Sequence, residues 1–295
     1  MKNMKKKVTY SKKKNKRKNS KKKRIIKKKV SKKTNKFSKK SIPVTNKSIF
    51  DLKPKLVKIK KTITRKRIST GIPGLNSLIQ GGFKQGSINL IEGGPGSGKT
   101  IFATQFLYEG LKSKENVAYI TFEVMKNKYY ENMKMFGWDL EKYERKGNFV
   151  FLAYTPEQIK KILLEGGGTI DTLVRQKKIK RIVIDSITSF ALLYPSELAK
   201  KEAALTLFNV INSWDCTALL TAQEEGARDE ERIVSAALDF EVDGIIILYY
   251  TKKRNVRERG VEILKMRGTK TPNKVFKMDI ASKGIKVKKS AYQRS

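Results

Sequence analysis

Short apolar runs alternate with amphipathic stretches along most of this chain. Runs rich in β-branched and aromatic residues predict strands at residues 88–92, 116–123, 148–154, 181–187 and 216–223. Apolar side chains at helical spacing predict helices at residues 100–112, 126–138, 156–165 and 197–214. Because the strand-like runs are apolar almost throughout, we expect strands that are buried on both faces. The pattern therefore predicts an α/β fold with a mostly parallel central sheet and helices on both faces.

The last part of the chain shows a different pattern. Residues 244–253 and 260–266 are apolar runs on either side of a charged segment, RNVRER, and they predict an antiparallel hairpin with its turn at that segment. Two shorter stretches, around residues 275–281 and at 284–287, predict edge strands. We therefore expect a C-terminal antiparallel hairpin that completes the sheet.

The first 66 residues form a separate, lysine-rich segment. Residues 1–50 contain 23 Lys or Arg and no Asp or Glu; the whole chain carries +40, so the remaining residues carry +17. Such a segment repels itself and has too few apolar side chains to offset its ordering entropy. We predict a disordered tail at residues 1–66 and an ordered domain at 67–295. The tail is suited to salt-dependent, sequence-independent binding of DNA or RNA; the alternative is a solvated charge run without a dedicated partner.

Several protein classes are excluded by composition. The chain has one cysteine, Cys216, and no histidine, so an intramolecular disulfide and a His-ligated metal site are excluded. Cys216 adjoins an apolar run, and we interpret it as a core residue rather than a nucleophile. The longest apolar run, at residues 244–250, is too short to span a bilayer, and no apolar region follows the basic N-terminus. We therefore expect a cytoplasmic protein that does not enter membranes.

Residues 93–100, GGPGSGKT, fit the phosphate-loop pattern G-x-x-x-x-G-K-[ST] between a predicted strand and a predicted helix. Glycines let successive backbone N–H groups converge on a phosphate at a helix N-terminus. Lys99 is expected to reach the β- and γ-phosphates, and the Thr100 hydroxyl to bind Mg²⁺. The predicted nucleotide-binding residues are Gly93, Gly94, Gly96, Ser97, Gly98, Lys99, Thr100 and Ile101.

Three polar side chains end predicted strands and are candidates for the chemistry. Asp185 follows a buried run, and a carboxylate there is expected to face a cation, here Mg²⁺ held through water, although a helix cap would also explain it. Glu123 is expected one strand over from the phosphate loop, where it would activate the attacking water; a solvated acid is the alternative. Gln223 is a candidate γ-phosphate sensor, with a solvated strand end equally supported.

Five segments occur in the order seen in KaiC-like ATPases of the RecA superfamily. They are STGIPGLNSLIQGGFKQGSINLIEGGPGSGKT, YITFE, FGWDLEKYERKGNFVFL, RIVIDSITS and EILKMRGTK. The chain therefore resembles this archaeal and bacterial family from about Arg67 to Val287. The resemblance implies a RecA-like phosphate-loop core, ATP as the nucleotide, and a hexameric ring with ATP at the subunit interfaces.

Lys265 and Arg267 lie two residues apart near the end of an apolar run. A strand would place both on one face. Taken alone, the two residues favour an exposed strand end with solvated bases. The resemblance implies instead that both reach the γ-phosphate bound by Lys99 of the next subunit. Such a cation would stabilise the charge that develops in phosphoryl transfer.

The chain departs from the family in two ways, which leaves three functions open. Val124 stands where the family usually has a second glutamate after Glu123, and the chain has one copy of the domain that the two-domain clock protein has in tandem. An ATP-hydrolysing ring near DNA or RNA ranks first. An ATP-gated scaffold or signalling switch with slow turnover and an unidentified protein partner ranks second. A DNA recombinase or repair ATPase ranks third, because the acid-rich segment at residues 224–236 is ill suited to contact DNA.

Overall fold

The computed structural model describes residues 66–165, 168–223, 241–253 and 255–292. The predicted tail, apart from Lys66, and the acid-rich segment at 224–236 lie outside the described residues. The strands are β1 (Arg67–Ile68), β2 (Phe83–Lys84), β3 (Ile88–Gly93), β4 (Asn116–Thr121), β5 (Phe149–Ala153), β6 (Ile179–Asp185), β7 (Thr217–Gln223), β8 (Gly244–Lys253), β9 (Val256–Met266), β10 (Phe276–Ala281) and β11 (Gly284–Ala291). The helices are α1 (Leu75–Leu78), α2 (Lys99–Lys112), α3 (Lys126–Lys134), α4 (Leu140–Arg145), α5 (Pro156–Leu164), α6 (Gly168–Gln176), α7 (Ile187–Ala191) and α8 (Glu197–Ser213).

Nine of the described strands form one sheet in the order β11-β10-β9-β8-β3-β7-β6-β4-β5. The strands from β8 to β5 pair in parallel, whereas β8–β9, β9–β10 and β10–β11 pair antiparallel. β1 and β2 form a separate two-stranded sheet in the glycine-rich lead-in. The predicted mostly parallel sheet with a C-terminal antiparallel hairpin is confirmed.

Alternate residues of the parallel strands pack into two hydrophobic cores, one on each face of the sheet. Along β3, Ile91 belongs to the core that includes Phe102 and Phe106 of α2. The neighbouring Leu90 belongs to the other core, which includes Leu207 of α8 and also residues of α5, α6 and α7. Burying each large apolar side chain stabilises the fold by about 1.5–3 kcal/mol. Helices therefore cover both faces of the sheet, as the apolar runs predicted.

The buried Arg181 fixes the far end of α2, the helix that follows the phosphate loop. Its Nε donates to Glu115 Oε2 at 2.5 Å, and its Nη1 donates to the carbonyl oxygens of Ser69 (2.7 Å) and Phe106 (3.0 Å). Only 2 % of the side chain is exposed, and the guanidinium lies over the Phe106 ring. A buried cation needs such saturation by acceptors, so Arg181 ties α2 to β6 and to the lead-in.

Two details of the C-terminal hairpin differ from the prediction. Pairing of β8 with β9 continues to Lys253 and Val256, so most of RNVRER is strand and the turn is shorter than predicted. The register shifts near Ile263, which lets Ile263 and Met266 face the same core, and β9 ends at Met266. Arg267 therefore lies beyond the strand, and the expectation that strand alternation sets its direction is wrong.

Cys216 is a core residue, as predicted. It is buried, and burial raises the pKa of its thiol to about 12, so the thiolate that a nucleophile requires is disfavoured. No helix among the described residues has the length and apolar character needed to span a membrane.

Candidate functional site

The carboxyl ends of the parallel strands bring the predicted polar residues to one edge of the sheet. The register of β3 with β7 pairs Gly93 with Gln223, and the register of β4 with β6 pairs Thr121 with Asp185. Glu123 follows β4 by two residues. In open α/β sheets the crevice beyond this edge is where ligands bind.

The phosphate loop leads directly into α2, whose first turn has no protein cap. Gly98 at the N-cap position supplies no side chain, and the first turn contains no acidic residue. α4, α5 and α8 are capped by the side chains of Asp139, Thr155 and Ser196, whereas α1, α3 and α7, like α2, have no side-chain cap. The free N–H groups of a helix start carry partial positive charge. The start of α2 is therefore suited to an anion.

The loop conformation depends on glycine at two tight positions. Gly96 has φ +74°, and a Cβ there would lie 3.3 Å from Cε1 of Tyr250. Gly98 has φ +107°, and a Cβ there would lie 2.9 Å from Cδ1 of Ile280. Ser97 is fully buried, so within this loop its side chain faces the protein interior rather than the open crevice. Its backbone N–H donates to the Gly94 carbonyl oxygen at 3.3 Å, which closes a turn within the loop.

Lys99 folds over its own loop. Its Nζ donates to the carbonyl oxygens of Gly93 (2.7 Å) and Gly94 (3.1 Å). The ammonium group is therefore held above the loop, on the side where α2 begins. Ile101 is partly buried against the core, so its side chain is structural and its N–H belongs to the first turn of the helix.

Asp185 accepts hydrogen bonds from three hydroxyl groups. Thr100 Oγ1 and Tyr119 OH donate to its Oδ2 at 2.8 and 2.6 Å, and Thr221 Oγ1 donates to its Oδ1. Burial, and then the Asp185 charge, raises the pKa of Tyr119 well above its usual value, so the phenol stays a proton donor. The carboxylate is therefore fixed beside the Thr100 hydroxyl. The Asp185–Ser186 peptide bond is cis.

Glu123 lies farther from the phosphate loop along the sheet than predicted. β7 and β6 stand between β3 and β4, so the expectation of one strand over is wrong. The carboxylate accepts hydrogen bonds from Ser186 Oγ at 3.1 Å and from Ser189 Oγ, which places it beside the residue that follows Asp185. Val124 is partly buried and packs against the core.

Gln223 ends β7 with its side chain exposed, next to the first residue of the phosphate loop. Its backbone N–H donates to Thr188 Oγ1 at 2.8 Å. Its role as a γ-phosphate sensor stays a prediction.

Lys265 and Arg267 lie at the opposite end of the sheet from their own phosphate loop. They flank Met266, which pairs with Gly244, and Gly244 pairs with Asn89 near the start of β3. The phosphate loop begins four residues further along β3 at Gly93, about 13 Å away at 3.3 Å per residue. Neither cation is therefore placed to contact a phosphate on its own loop.

Sequence reasoning missed an arginine that contacts the phosphate loop. Arg259 Nε and Nη2 donate to the Gly96 carbonyl oxygen at 3.3 and 3.2 Å. Because RNVRER was interpreted as a turn, the pairing of Arg259 with Tyr250 across the hairpin was not anticipated. Tyr119 and Thr221 were also missed, although a polar atom inside an apolar run is a recognisable signal.

Comparison with known proteins decides the family. A family model described as "ATPase: KaiC" matches residues 68–292, which is most of the chain and includes every candidate site residue. This chain belongs to the KaiC ATPase family. Residues 68–292 therefore form an ATP-binding, RecA-like ATPase domain.

Individual relatives agree with this assignment. A UPF0273 protein of Thermotoga maritima is 31% identical over 233 residues, covering 75% of this chain and 95% of the relative. The circadian clock protein KaiC3 of Synechocystis is 31% identical over 224 residues, covering 74% of this chain but 44% of the clock protein. The crystal structure of a KaiC-like protein from Pyrococcus horikoshii has a TM-score of 0.66 and 34% identity, covering 76% of this chain and 99% of that one.

Proposed function

We propose that this protein is a Mg²⁺-dependent ATPase that works as a ring oligomer, a hexamer by resemblance, with ATP at the subunit interfaces. The domain predicted at residues 67–295 is the ATPase, and the basic segment at residues 1–66 associates it with DNA or RNA. The single observation that supports a ring oligomer is the position of Lys265 and Arg267, at the end of the sheet remote from their own phosphate loop. Those cations are useful for phosphoryl transfer only at a neighbour's site.

Different groups at the phosphate loop bind the phosphates and the metal ion. Backbone N–H groups of the loop and of the first turn of α2 bind the phosphates, and Lys99 exchanges its loop carbonyl partners for phosphate oxygens. Hard oxygen ligands suit Mg²⁺, and the Thr100 hydroxyl and the Asp185 carboxylate, 2.8 Å apart, offer such a pair. Bound there, the ion would neutralise charge on the β- and γ-phosphates.

Glu123 is the proposed base, or orienting group, for the attacking water. Its hydrogen bonds from Ser186 and Ser189 hold the carboxylate near Asp185. Because position 124 is a valine, Glu123 acts without a second carboxylate from the next position. This favours slow turnover, and it is the observation that keeps an ATP-gated scaffold as the second candidate function.

The proposed role of Asp185 predicts the effect of removing one hydroxyl. Tyr119→Phe is expected to raise the Mg²⁺ concentration needed for half-maximal nucleotide binding by about tenfold, the usual cost of losing a hydrogen bond to a metal-binding carboxylate. Titration of a fluorescent ATP analogue at increasing Mg²⁺ measures it. Tyr129→Phe is the matched control, because that hydroxyl bonds Thr104 Oγ1 (2.9 Å) and its ring stacks on Tyr119. Equal Mg²⁺ dependence of both variants would contradict the role of Tyr119.

Steady-state ATP hydrolysis is the experiment that tests the function. The full chain and a chain without residues 1–66 are compared with and without single- and double-stranded DNA and RNA, at two salt concentrations.

The affinity for nucleic acid is measured for the same two chains. We expect the shortened chain to bind nucleic acid more weakly and with a flatter salt dependence, because fewer counterions are released. Stimulation that needs the tail and fades with salt supports a nucleic-acid-coupled ATPase. Slow hydrolysis that no polymer changes favours the scaffold, and equal affinity and salt slope would leave the tail without this role.

A further inference from the structure

The guanidinium of Arg259 lies between an aromatic ring and the tip of the phosphate loop of its own subunit. Its Nε and Nη2 both donate to the Gly96 carbonyl oxygen, at 3.3 and 3.2 Å. Its Cζ lies over the Tyr250 ring, 4.1 Å from the ring centroid. Tyr250 and Arg259 are direct partners across the β8–β9 hairpin, so the backbone of the hairpin fixes their relative position.

Tyr250 also contacts the loop at the same residue. A Cβ on Gly96 would lie 3.3 Å from the ring carbon Cε1, which shows that the loop backbone packs against the ring edge. Gly96 has φ +74°, a conformation that glycine adopts freely. The tip of the loop is therefore bounded on one side by the hairpin, through one ring and one guanidinium.

We propose that Arg259 is a positioning residue that holds the phosphate loop in its phosphate-binding conformation. The peptide unit is planar, with its C=O and N–H on opposite sides. Holding the Gly96 carbonyl oxygen therefore also fixes the direction of the Ser97 N–H, which donates to the Gly94 carbonyl oxygen at 3.3 Å and closes the turn at the tip of the loop. Gly96 and Gly98, on either side of Ser97, would otherwise allow the loop many conformations. The entropy lost on ordering those conformations would weaken nucleotide binding. Arg259 removes part of that loss before the nucleotide arrives.

The inference rests on the proposed nucleotide site, but it differs from a simple effect of charge. Any cation near the loop attracts a triphosphate. Arg257 separates the two explanations, because it lies two residues earlier on the same strand with its guanidinium 5.1 Å from the same ring centroid. Within the described residues, Arg257 has no hydrogen bond to the loop. The two arginines therefore share a charge and an aromatic platform, and they differ in the bond to Gly96.

The test compares Arg259→Gln with Arg257→Gln in the full chain. Two quantities are measured: the Kd of ATP and of ADP, and hydrogen exchange of the backbone amides at residues 93, 94 and 96–98 in nucleotide-free protein. We expect Arg259→Gln to raise the Kd of both nucleotides by about tenfold, as for the loss of a hydrogen bond to a charged group. We also expect it to speed hydrogen exchange of the loop amides. Arg257→Gln is expected to change both quantities less than twofold. Arg259→Lys, which keeps the charge but loses the planar two-nitrogen donor, should fall between wild type and Arg259→Gln.

The outcomes separate this inference from the proposed function. Equal weakening by the two glutamine variants that disappears at high salt would assign the effect to charge and overturn the inference. Unchanged loop exchange in Arg259→Gln would overturn it as well. Wild-type protein that binds neither ATP nor ADP would overturn the proposed function instead, whereas faster loop exchange in Arg259→Gln would still support the positioning role.

Discussion

Lys99→Ala is expected to abolish tight ATP binding. The Lys99 ammonium group is held over the phosphate loop by hydrogen bonds to the carbonyl oxygens of Gly93 and Gly94. Hydrogen bonds from a charged donor contribute about 1.5–3 kcal/mol, so the loss of Lys99 should raise the Kd of ATP by at least about 10- to 100-fold. Direct binding measurements, such as isothermal titration calorimetry, check this.

The same helix offers a control for Lys99→Ala. Lys112 ends α2, with its side chain 54% exposed and paired with Glu109. Lys112→Ala removes an equal charge from the same helix and should leave the Kd of ATP unchanged. Alanine is favourable in helices, so neither variant should disturb α2. Unchanged ATP binding in Lys99→Ala would show that residues 93–100 are not the nucleotide site.

The fold was predictable because its signals are local. Apolar runs of strand length between amphipathic helices, and a glycine-rich segment between β3 and α2, each contain the information for their own structure. Strand order is not local: the chain leaves β3, forms α2 and returns as β4 with two later strands in between. The position of Glu123 relative to the loop therefore could not be derived from its distance along the sequence.

The missed residues share one physical cause: their partners are remote in sequence. Tyr119 and Thr221 come from different strands, and only the sheet register brings their hydroxyls to Asp185. Arg259 lies in a polar stretch that suggests a turn, yet backbone pairing extends the hairpin past the core and places it against Gly96. A polar residue can be recognised as unusual from its local sequence, but what it contacts depends on the tertiary fold.

Arg267→Ala is expected to lose ATP turnover far more than ATP binding. Cations that reach across an interface to a transferring phosphate contribute about 10³–10⁵ in rate elsewhere, so we expect a fall in kcat of at least about 10²-fold with a Kd within about threefold of wild type. The side chain is 51% exposed, and it forms a long ion pair with Asp243, with Nη1 3.9 Å from Oδ1. Such a pair contributes little to stability, so the variant should fold normally.

Mixing variants shows whether Arg267 acts across an interface. In rings that combine Arg267→Ala with Lys99→Ala subunits, some interfaces pair an intact phosphate loop with an intact Arg267. Those interfaces should restore part of the activity that each variant lacks alone. Rings of Arg267→Ala with the Lys99→Ala, Arg267→Ala double variant contain no intact Arg267 and should stay inactive.

Lys286→Ala is the control for the loss of one surface charge in Arg267→Ala. It removes an exposed cation from β11 and should behave as wild type.

The mixing result bears directly on the geometry. Because Arg267 and Gly93 lie near opposite ends of β3, an effect within one subunit would require a movement of about 13 Å along the sheet. Recovery in mixed rings would agree with a cation supplied by the neighbour and would make the ring necessary for turnover. No recovery, in rings whose mixed composition native mass spectrometry has verified, would contradict the role in trans. Asp243 also accepts a hydrogen bond from the Ile88 N–H at 3.0 Å. The ion pair of Arg267 with Asp243 would then give Arg267 a structural role instead of a catalytic one.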